Sequence, residues 1–237
     1  MHGMPQAPKD LAATVDIVTT SGSPIFKDYL PKQDAIVVER VRQSGAILIG
    51  KTNTPEFGLG SHTYNSVFGT TGNAYQPDLC AGGSSGGAAV ALATRMLPVA
   101  DGSDMMGSLR NPAGWNNVYG FRPTWGMIPD EPTGDLFLHQ LATAGPMARS
   151  PEDLALLLDV MSGPDPRQPL SRSRETMLPL PEPAPMRIGW LGDWGGAFPM
   201  EPGVLETSEK ALAHLRNLGH RVETVPAPFS AEQIWES

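Results

Sequence analysis

Two short glycine-rich segments carry residue types that could do chemistry. The first, Gly45–Thr52, matches the phosphate-binding pattern G-x-x-x-x-G-K-[ST], in which main-chain N–H groups and a lysine hold phosphates. Its four middle residues are Ala-Ile-Leu-Ile, which favour a strand, and Asn53, Thr54 and Pro55 follow where the pattern requires a helix. A buried strand that ends in a polar loop is the better interpretation, and nucleotide binding is the less favoured alternative.

The second segment, Gly82–Gly86, fits the nucleophile-elbow pattern G-x-S-x-G with Ser84 as the nucleophile. An elbow serine directly follows an apolar strand, and an acid and a histidine must come later in the chain. Residues 78–81, Asp-Leu-Cys-Ala, make a poor strand. His139, His214 and His220 are available downstream, but the last two lie on or just after an amphipathic helix. The elbow is therefore a weakly supported alternative.

A larger set of motifs, taken together, resembles the amidase signature family of serine hydrolases. The matching segments, in family order, are Gly3–Asp10, Gly50–Phe57, Gly82–Gly87, Gly102–Pro112, Tyr119–Thr124 and Ala144–Arg149. The glycine–serine segment alone would be weak, because linkers have a similar composition. Several motifs in the right order argue against chance. The resemblance is dense over residues 3–160 and looser beyond them.

This resemblance implies a catalytic triad, which motif matching places at Lys9, Ser84 and Ser108, with Ser84 in a cis peptide bond. Ser108 would attack an amide carbonyl and form an acyl-enzyme. Ser84 would relay the proton to Lys9, because a hydroxyl can donate and accept at once. Lysine has an ordinary pKa of about 10.4, so burial would have to favour the neutral form of Lys9. Taken singly, Lys9 would be read as a solvated lysine and Ser84 as a linker serine.

The residues before the nucleophile are the candidates for an oxyanion hole, through the main-chain N–H groups of Met105, Met106, Gly107 and Ser108. The family's commonest pattern has two glycines there, whereas this chain has Met106 and Gly107. A methionine is strained if its position needs a positive φ. Its side chain could also line or narrow the acyl pocket, so the departure bears on substrate preference.

Three further residues are expected to support the site. The resemblance implies that Ser85 hydrogen-bonds the Ser84–Ser108 region. Asp104 and Arg110 could form an ion pair that holds the nucleophile segment, Gly102–Pro112, which contains Ser108. Alternatively, they could cap turns separately, and the sequence does not decide between the two. The chemistry requires no metal ion or organic cofactor. The single cysteine, Cys80, excludes an internal disulfide and a cysteine-based zinc cluster.

The elements that must position these residues alternate between helices and short apolar strands, which predicts an α/β fold. Helices are predicted over residues 34–44, 88–94, 151–161 and 206–218, with Asp34 and Ser150 as N-caps. Strands are predicted around 12–19 and over 46–49, 97–100, 186–191 and 221–225, and the strand over 46–49 is apolar enough to be buried on both faces. The segment 51–81 is predicted to be loop and 163–185 to be a surface loop or linker. The resemblance implies a mixed central β-sheet flanked by helices, the amidase signature fold in part.

Composition and charge limit the function classes. The chain has 237 residues, of which 40% are hydrophobic and 18% are charged, so it is globular rather than disordered. A formal net charge of −8 argues against a general binder of nucleic acids or anionic membranes. No apolar run approaches the ~18–20 residues of a membrane span. A cytoplasmic protein is the default expectation.

The sequence thus predicts one amidase signature domain over residues 1–237, incomplete at both ends because family members are typically about twice as long. The predicted activity is hydrolysis of the C–N bond of a small linear amide through an acyl-enzyme on Ser108, with a homodimer left open. One alternative is the amidase subunit of a tRNA-dependent amidotransferase, which would work with partner subunits. The other is an inactive fragment that serves as a binding module.

Overall fold

The computed structural model describes residues 1–131, 140–173, 176–181 and 184–236. His139 and parts of the predicted 163–185 loop lie outside the described residues. The chain divides into two compact units, Met1–Leu180 and Pro181–Ser237. Among the described residues, no helix is long and apolar enough to cross a lipid bilayer. The single domain over 1–237 stays a prediction.

Helices and short strands alternate along both units. The strands of the first unit are β1 (Pro5–Gln6), β2 (Ile47–Leu48), β3 (Tyr64–Asn65), β4 (Gly69–Thr70), β5 (Val99–Asp104), β6 (Tyr119–Gly120) and β7 (Thr143–Ala148). Its helices are α1 (Ile36–Gln43), α2 (Gly86–Ala93), α3 (Arg110–Trp115) and α4 (Pro151–Met161), with 3-10 turns at Pro24–Phe26 and Glu56–Gly58. The second unit contains β8 (Arg187–Trp190), α5 (Val204–Asn217), β9 (Arg221–Thr224) and α6 (Ala231–Trp235).

The strands pair in both senses, which confirms the mixed α/β class. β5, β7 and β6 form an antiparallel sheet with β7 in the middle. β1 pairs in parallel with β2, and the pairing continues as a bridge between Lys9 and Thr52. The buried Gln6 side chain donates to the carbonyl of Val99 at 3.1 Å, which ties β1 to β5. β3 and β4 form a hairpin, and β8 and β9 pair in parallel.

The β5–β7 sheet is covered by helices on both faces. Successive residues of a strand point to opposite faces, and the pairs Val99–Ala100 and Met147–Ala148 divide accordingly between two buried apolar clusters. Ala100 and Met147 pack in one cluster with the small residues of α2. Val99 and Ala148 pack in the other with apolar side chains of α1 and α4. β5 is therefore held in place inside the first unit by packing on both of its faces.

Four predictions about local structure are wrong. The segment 51–81, predicted to be loop, contains the β3–β4 hairpin and the 3-10 turn at Glu56–Gly58. Residues 12–19 form turns and no strand. Ile47 and Ile49 are 56% and 60% exposed, because β2 pairs with β1 alone among the described strands. Asp34 does not cap α1: its carboxylate accepts the N–H of Val15 and pairs with Arg42. The first N–H of α1 is instead accepted by the carboxylate of Glu131.

Other elements agree closely with the prediction. Helix α4 has the predicted bounds, and the Ser150 hydroxyl accepts the N–H of Asp153 at 3.1 Å as its N-cap. Helix α5 ends before Gly219, which has a φ of 92°. The middle strand of the main sheet, β7, was not predicted, because Gly145 and Pro146 interrupt its strand-like pattern.

We expect Ser150→Ala to lower the free energy of unfolding of the first unit by about 1 kcal/mol, because the N–H of Asp153 loses its acceptor. Urea denaturation followed by far-UV circular dichroism measures the change. Ser173→Ala, at an exposed serine in a loop, is the matched control. Equal unfolding midpoints for the two variants would show that the cap contributes nothing.

Candidate active site

The Lys9 side chain is buried and surrounded by serine hydroxyls. Lys9 follows β1 and is only 2% exposed. Its Nζ lies 2.6 Å from Ser84 Oγ, 3.0 Å from Ser85 Oγ and 3.0 Å from Ser103 Oγ. The interpretation of Lys9 as a solvated surface lysine is therefore wrong.

This burial changes the acid–base character of Lys9. Loss of hydration lowers its pKa from 10.5 to about 7, although the negative charges of Asp101 and Asp104 act in the opposite direction. The three hydroxyls around Nζ are neutral, so they solvate an ammonium without supplying an opposite charge. Near neutral pH a substantial fraction of Lys9 is consequently the free amine, which can accept a proton.

The glycine–serine segment brings two hydroxyls to Lys9 directly before α2 begins. The Gly83–Ser84 peptide bond is cis, and both Ser84 and Ser85 are buried. A Cβ at Gly87 would lie 2.3 Å from the main-chain nitrogen of Asn53. Only glycine lets the first turn of α2 approach the 52–54 segment this closely, so the packing that positions the serines depends on it.

Ser85 links the lysine to the nucleophile segment. Its hydroxyl contacts Lys9 Nζ and also accepts the N–H of Ser103 at 3.3 Å. Its own main-chain N–H donates to the carbonyl of Ser108 at 3.2 Å. Ser85 thus joins its own segment, Gly82–Gly87, to the two others that the motifs predict to meet it, at Lys9 and at Ser103 and Ser108.

Asp104, at the end of β5, holds the nucleophile segment in place. This fully buried carboxylate accepts the N–H groups of Gly107 at 2.7 Å and Leu109 at 3.2 Å. Arg110 donates to it twice, at 2.9 and 3.0 Å, and Arg122 lies 3.4 Å away. Asp104 therefore forms the ion pair with Arg110 and caps the turn through the same carboxylate, so the alternative in which the two residues cap turns separately is wrong.

The charge of Asp104 is fixed by these partners. Burial alone would raise its pKa, but the hydrogen bonds from Arg110 and from the two N–H groups outweigh it and lower the pKa to about 2. The same contact raises the pKa of the Arg110 guanidinium. The carboxylate is therefore charged, and able to pair with Arg110, at pH values well above 2.

Ser108 stands between Gly107 and α3 and is half-buried. Its carbonyl is held by Ser85, whereas its hydroxyl makes no hydrogen bond within the described residues. The structure therefore brings Lys9, Ser84 and Ser85 into contact through their side chains and joins Ser108 to them through the main chain.

The candidate oxyanion donors differ in availability. The Gly107 N–H already donates to Asp104 at 2.7 Å, so the set of candidate donors narrows to Met105, Met106 and Ser108. These three N–H groups have no acceptor in the part of the chain that is described. The positive φ of this turn, 112°, falls on Gly107 and not on Met106. Met106 therefore does not have the backbone strain of a positive φ. Its side chain is 78% exposed.

Comparison with known proteins places this arrangement in a family. A family model described as Amidase matches residues 1–236. The chain belongs to the amidase signature family. The A subunit of the glutamyl-tRNA(Gln) amidotransferase from Thermus thermophilus is 42% identical over 235 residues, which are 96% of this chain and 48% of that protein. Its counterpart from Archaeoglobus fulgidus is 41% identical over 228 residues, with the same two coverages.

Solved structures of amidase signature enzymes have the same fold. A bacterial aryl acylamidase of this family superposes with a TM-score of 0.87 at 31% identity, over 100% of this chain and 51% of that one. A 6-aminohexanoate cyclic dimer hydrolase, solved with its substrate, gives a TM-score of 0.86 at 32% identity, over 94% of this chain and 48% of that one. The chain spans about half the length of the relatives it matches. The family and fold predicted from the motifs are confirmed.

The phosphate-loop alternative is wrong for this amidase signature chain. The N–H groups of Ile47 and Ile49 donate to the carbonyls of Met4 and Gln6 in the β1–β2 pairing, so they cannot hold a phosphate. The Lys51 side chain donates to the carbonyl of Ala12 and to the hydroxyl of Thr14. The motif match thus reflects a strand followed by a structural lysine.

The sequence prediction missed three residues of the amidase signature site. Ser103 contacts Lys9 Nζ, Asp101 accepts the Lys9 main-chain N–H, and Arg122 is a second cation beside Asp104. Residues 101 and 103 lie on one face of β5, two positions apart. A prediction of this strand over 99–104, rather than 97–100, would have indicated the first two.

The ion pair at Asp104 predicts a dependence of stability on pH. Its pKa in the folded protein, about 2, is below the unfolded value, so the carboxylate stabilises the fold above about pH 4 and this contribution is lost as the pH falls toward 2. Asp104→Asn should therefore show a smaller fall in unfolding free energy between pH 5 and pH 2 than the wild type, measured by urea denaturation. Asp78→Asn, at an exposed loop carboxylate, is the control. Parallel curves for wild type and Asp104→Asn would contradict the role assigned to this ion pair.

Proposed function

We propose that this chain carries an amidase active site in which Ser108 is the nucleophile, Ser84 the proton relay and Lys9 the base. The substrate is a small linear amide, and no cofactor takes part. The observation that supports the proposal most directly is the contact of Lys9 Nζ with Ser84 Oγ at 2.6 Å, in a buried position that lowers the lysine pKa to about 7. A base that is partly neutral near pH 7 suits proton transfer at that pH.

In the first half of the reaction, Ser108 Oγ forms a bond to the carbonyl carbon of the amide. Its proton passes to Ser84 Oγ, and the proton of Ser84 passes to Lys9 Nζ. The carbonyl oxygen becomes an oxyanion, which accepts hydrogen bonds from the N–H groups of Met105, Met106 and Ser108. The C–N bond then breaks as the departing amine takes a proton back from Lys9 through Ser84, and the acyl group stays on Ser108.

In the second half, a water molecule attacks the acyl-enzyme. Its proton follows the same route through Ser84 to Lys9, and the C–O bond to Ser108 then breaks as Ser108 Oγ takes that proton back from Lys9 through Ser84. The products are a carboxylic acid and the restored Ser108 hydroxyl. The negative charges of Asp101 and Asp104 favour the protonated form of Lys9 in each intermediate, because they oppose the effect of its burial.

A second candidate function follows from the relatives. The 42% identity to an amidotransferase chain of Thermus thermophilus makes a role within such a complex the main alternative, with ammonia passed to a partner instead of being released. Hydrolysis of free glutamine that rises when partner subunits are added would favour it. Efficient hydrolysis of varied small amides by the chain alone favours the proposed activity. A cytoplasmic location and a homodimer remain predictions.

The nucleophile can be tested by covalent labelling. A fluorophosphonate should modify the wild type once per chain, at Ser108, as shown by mass spectrometry of the digested protein. Ser108→Ala should lose this labelling and lower the rate of amide hydrolysis by about 10⁴-fold or more. Ser173→Ala, at an exposed serine, should keep both. Labelling that survives in Ser108→Ala would point to Ser84 as the nucleophile, and an unlabelled wild type would favour the inactive binding module.

The base can be tested through the pH dependence of the rate. Because Lys9 must be neutral to accept a proton, activity should rise with pH through a midpoint near its pKa of about 7 and then level off. Lys9→Ala should remove this rise and lower the rate by about 10²–10⁴-fold. Lys9→Arg should not restore it, because a guanidinium stays charged. Lys32→Ala, at an exposed lysine, is the control, and an unchanged profile in Lys9→Ala would overturn the mechanism.

A further inference from the structure

Asp101 is a buried carboxylate near the proposed base, and its contact with the main chain of Lys9 has no role in the mechanism above. It lies on β5, is 5% exposed, and its Oδ2 accepts the main-chain N–H of Lys9 at 3.1 Å. The two residues are 92 positions apart in the chain, so this contact is made only by the fold. A carboxylate placed this deep carries a desolvation cost, and a structural role alone could be filled by a neutral acceptor.

We propose that Asp101 is a positioning residue for Lys9: its carboxylate fixes the main chain of the base and, when ionised, acts electrostatically on the amine. This inference rests on the proposed function, in which Lys9 receives the proton of the nucleophile.

The geometry of β5 accounts for the positioning. Residues 101 and 103 share one face of the strand. Asp101 binds the main-chain end of Lys9, and Ser103 Oγ lies 3.0 Å from its Nζ at the other end. One strand face thus holds both ends of the lysine. These contacts add to the bridge between Lys9 and Thr52 and hold Nζ at Ser84.

The surrounding charges account for the effect on the amine. The charged groups that act on Lys9 are Asp101 and Asp104, both on β5. Asp104 is paired with Arg110 and lies close to Arg122, so much of its field is neutralised. Within the described residues, Asp101 has no arginine partner.

Lys51 is a second lysine whose pKa is affected by the charge of Asp101. It follows β2, and burial lowers its pKa to about 8, although the negative charge of Asp101 acts in the opposite direction. Asp10, next to Lys9 in sequence, also acts on Lys51, and its carboxylate accepts the N–H and hydroxyl of Thr20. Asp101 therefore acts on two lysines, the buried Lys9 and the half-buried Lys51, and when ionised it raises the pKa of both against the effect of their desolvation.

Two substitutions separate the two roles of Asp101, which are to hold the main chain of Lys9 and to act on its amine through the carboxylate charge. Asp101→Asn keeps an acceptor for the Lys9 N–H and removes the charge. We expect the protonation midpoint of Lys9 to fall by about one pH unit, the lower end of what an adjacent opposite charge produces. The rising limb of the pH–rate profile should move to lower pH by the same amount, and the plateau kcat should fall by about threefold because the base is weaker. KM should stay unchanged. Asp101→Ala should lose the main-chain contact as well and lower kcat further.

The midpoint can be measured without relying on activity. The chain contains five lysines, so a protein labelled with ¹³Cε-lysine gives a simple spectrum in which the Lys9 signal is the one lost in Lys9→Met. A pH titration then reports Lys9 and Lys51 directly, and Asp101→Asn should move both midpoints downward. Asp159→Asn is the matched control: Asp159 is also buried, but its carboxylate accepts the N–H of Met177 and does not act on Lys9.

The outcomes distinguish this inference from the proposed function. A Lys9 midpoint and a pH–rate limb that are both unchanged in Asp101→Asn would overturn the role of Asp101, even if Lys9→Ala abolishes activity. A pH–rate profile unchanged in Lys9→Ala would overturn the proposed base, while the titration would still report on Asp101. Should Asp101→Asn fail to fold, Asp101→Ser, a smaller neutral acceptor, replaces it in the same titration.

Discussion

The removal of the Lys9 amine from water is the constraint on which the rest of the site depends. An ammonium is buried without a partner only at high cost, and Lys9 Nζ is surrounded by three neutral hydroxyls. Those hydroxyls come from the loop before α2 and from β5, which are far from Lys9 in sequence. The site therefore exists only when β1, that loop and β5 are assembled. The contacts that assemble these three segments are therefore the same contacts that create the environment of the Lys9 amine.

The packing of β5 explains how these segments are held. The strand is covered by α2 on one face and by α1 and α4 on the other, and it pairs with β7 along its length. Because β5 is packed on both faces, its polar residues are held in fixed positions. It supplies Asp101 and Ser103 to Lys9 and ends at Asp104, which holds the segment that carries Ser108. One strand thus connects the proposed base to the proposed nucleophile.

The sequence predicts the elements that depend on local signals. Helix α4 is found from its apolar spacing and the Ser150 cap, because both act within a few residues. The meeting of Lys9 with Ser84 was predicted from the order of family motifs and not from periodicity. Ser103 and Asp101 were missed because their partners lie more than 90 positions away. The exposure of Ile47 was missed for a related reason, since apolar residues alone do not reveal which strands pair.

Asp101 and Asp104 show how one strand gives two buried carboxylates different properties. Asp104 accepts two N–H groups and the Arg110 guanidinium, and these hold its pKa at about 2 in spite of burial. At Asp101 burial is the larger effect and raises the pKa, because it is opposed only by main-chain N–H groups and by the charges of Lys51 and Lys9. The charge of Asp104 is consequently fixed as part of the fold. Asp101 and the two lysines interact electrostatically, so protonation of Lys9 favours the ionised form of the carboxylate that holds its main chain.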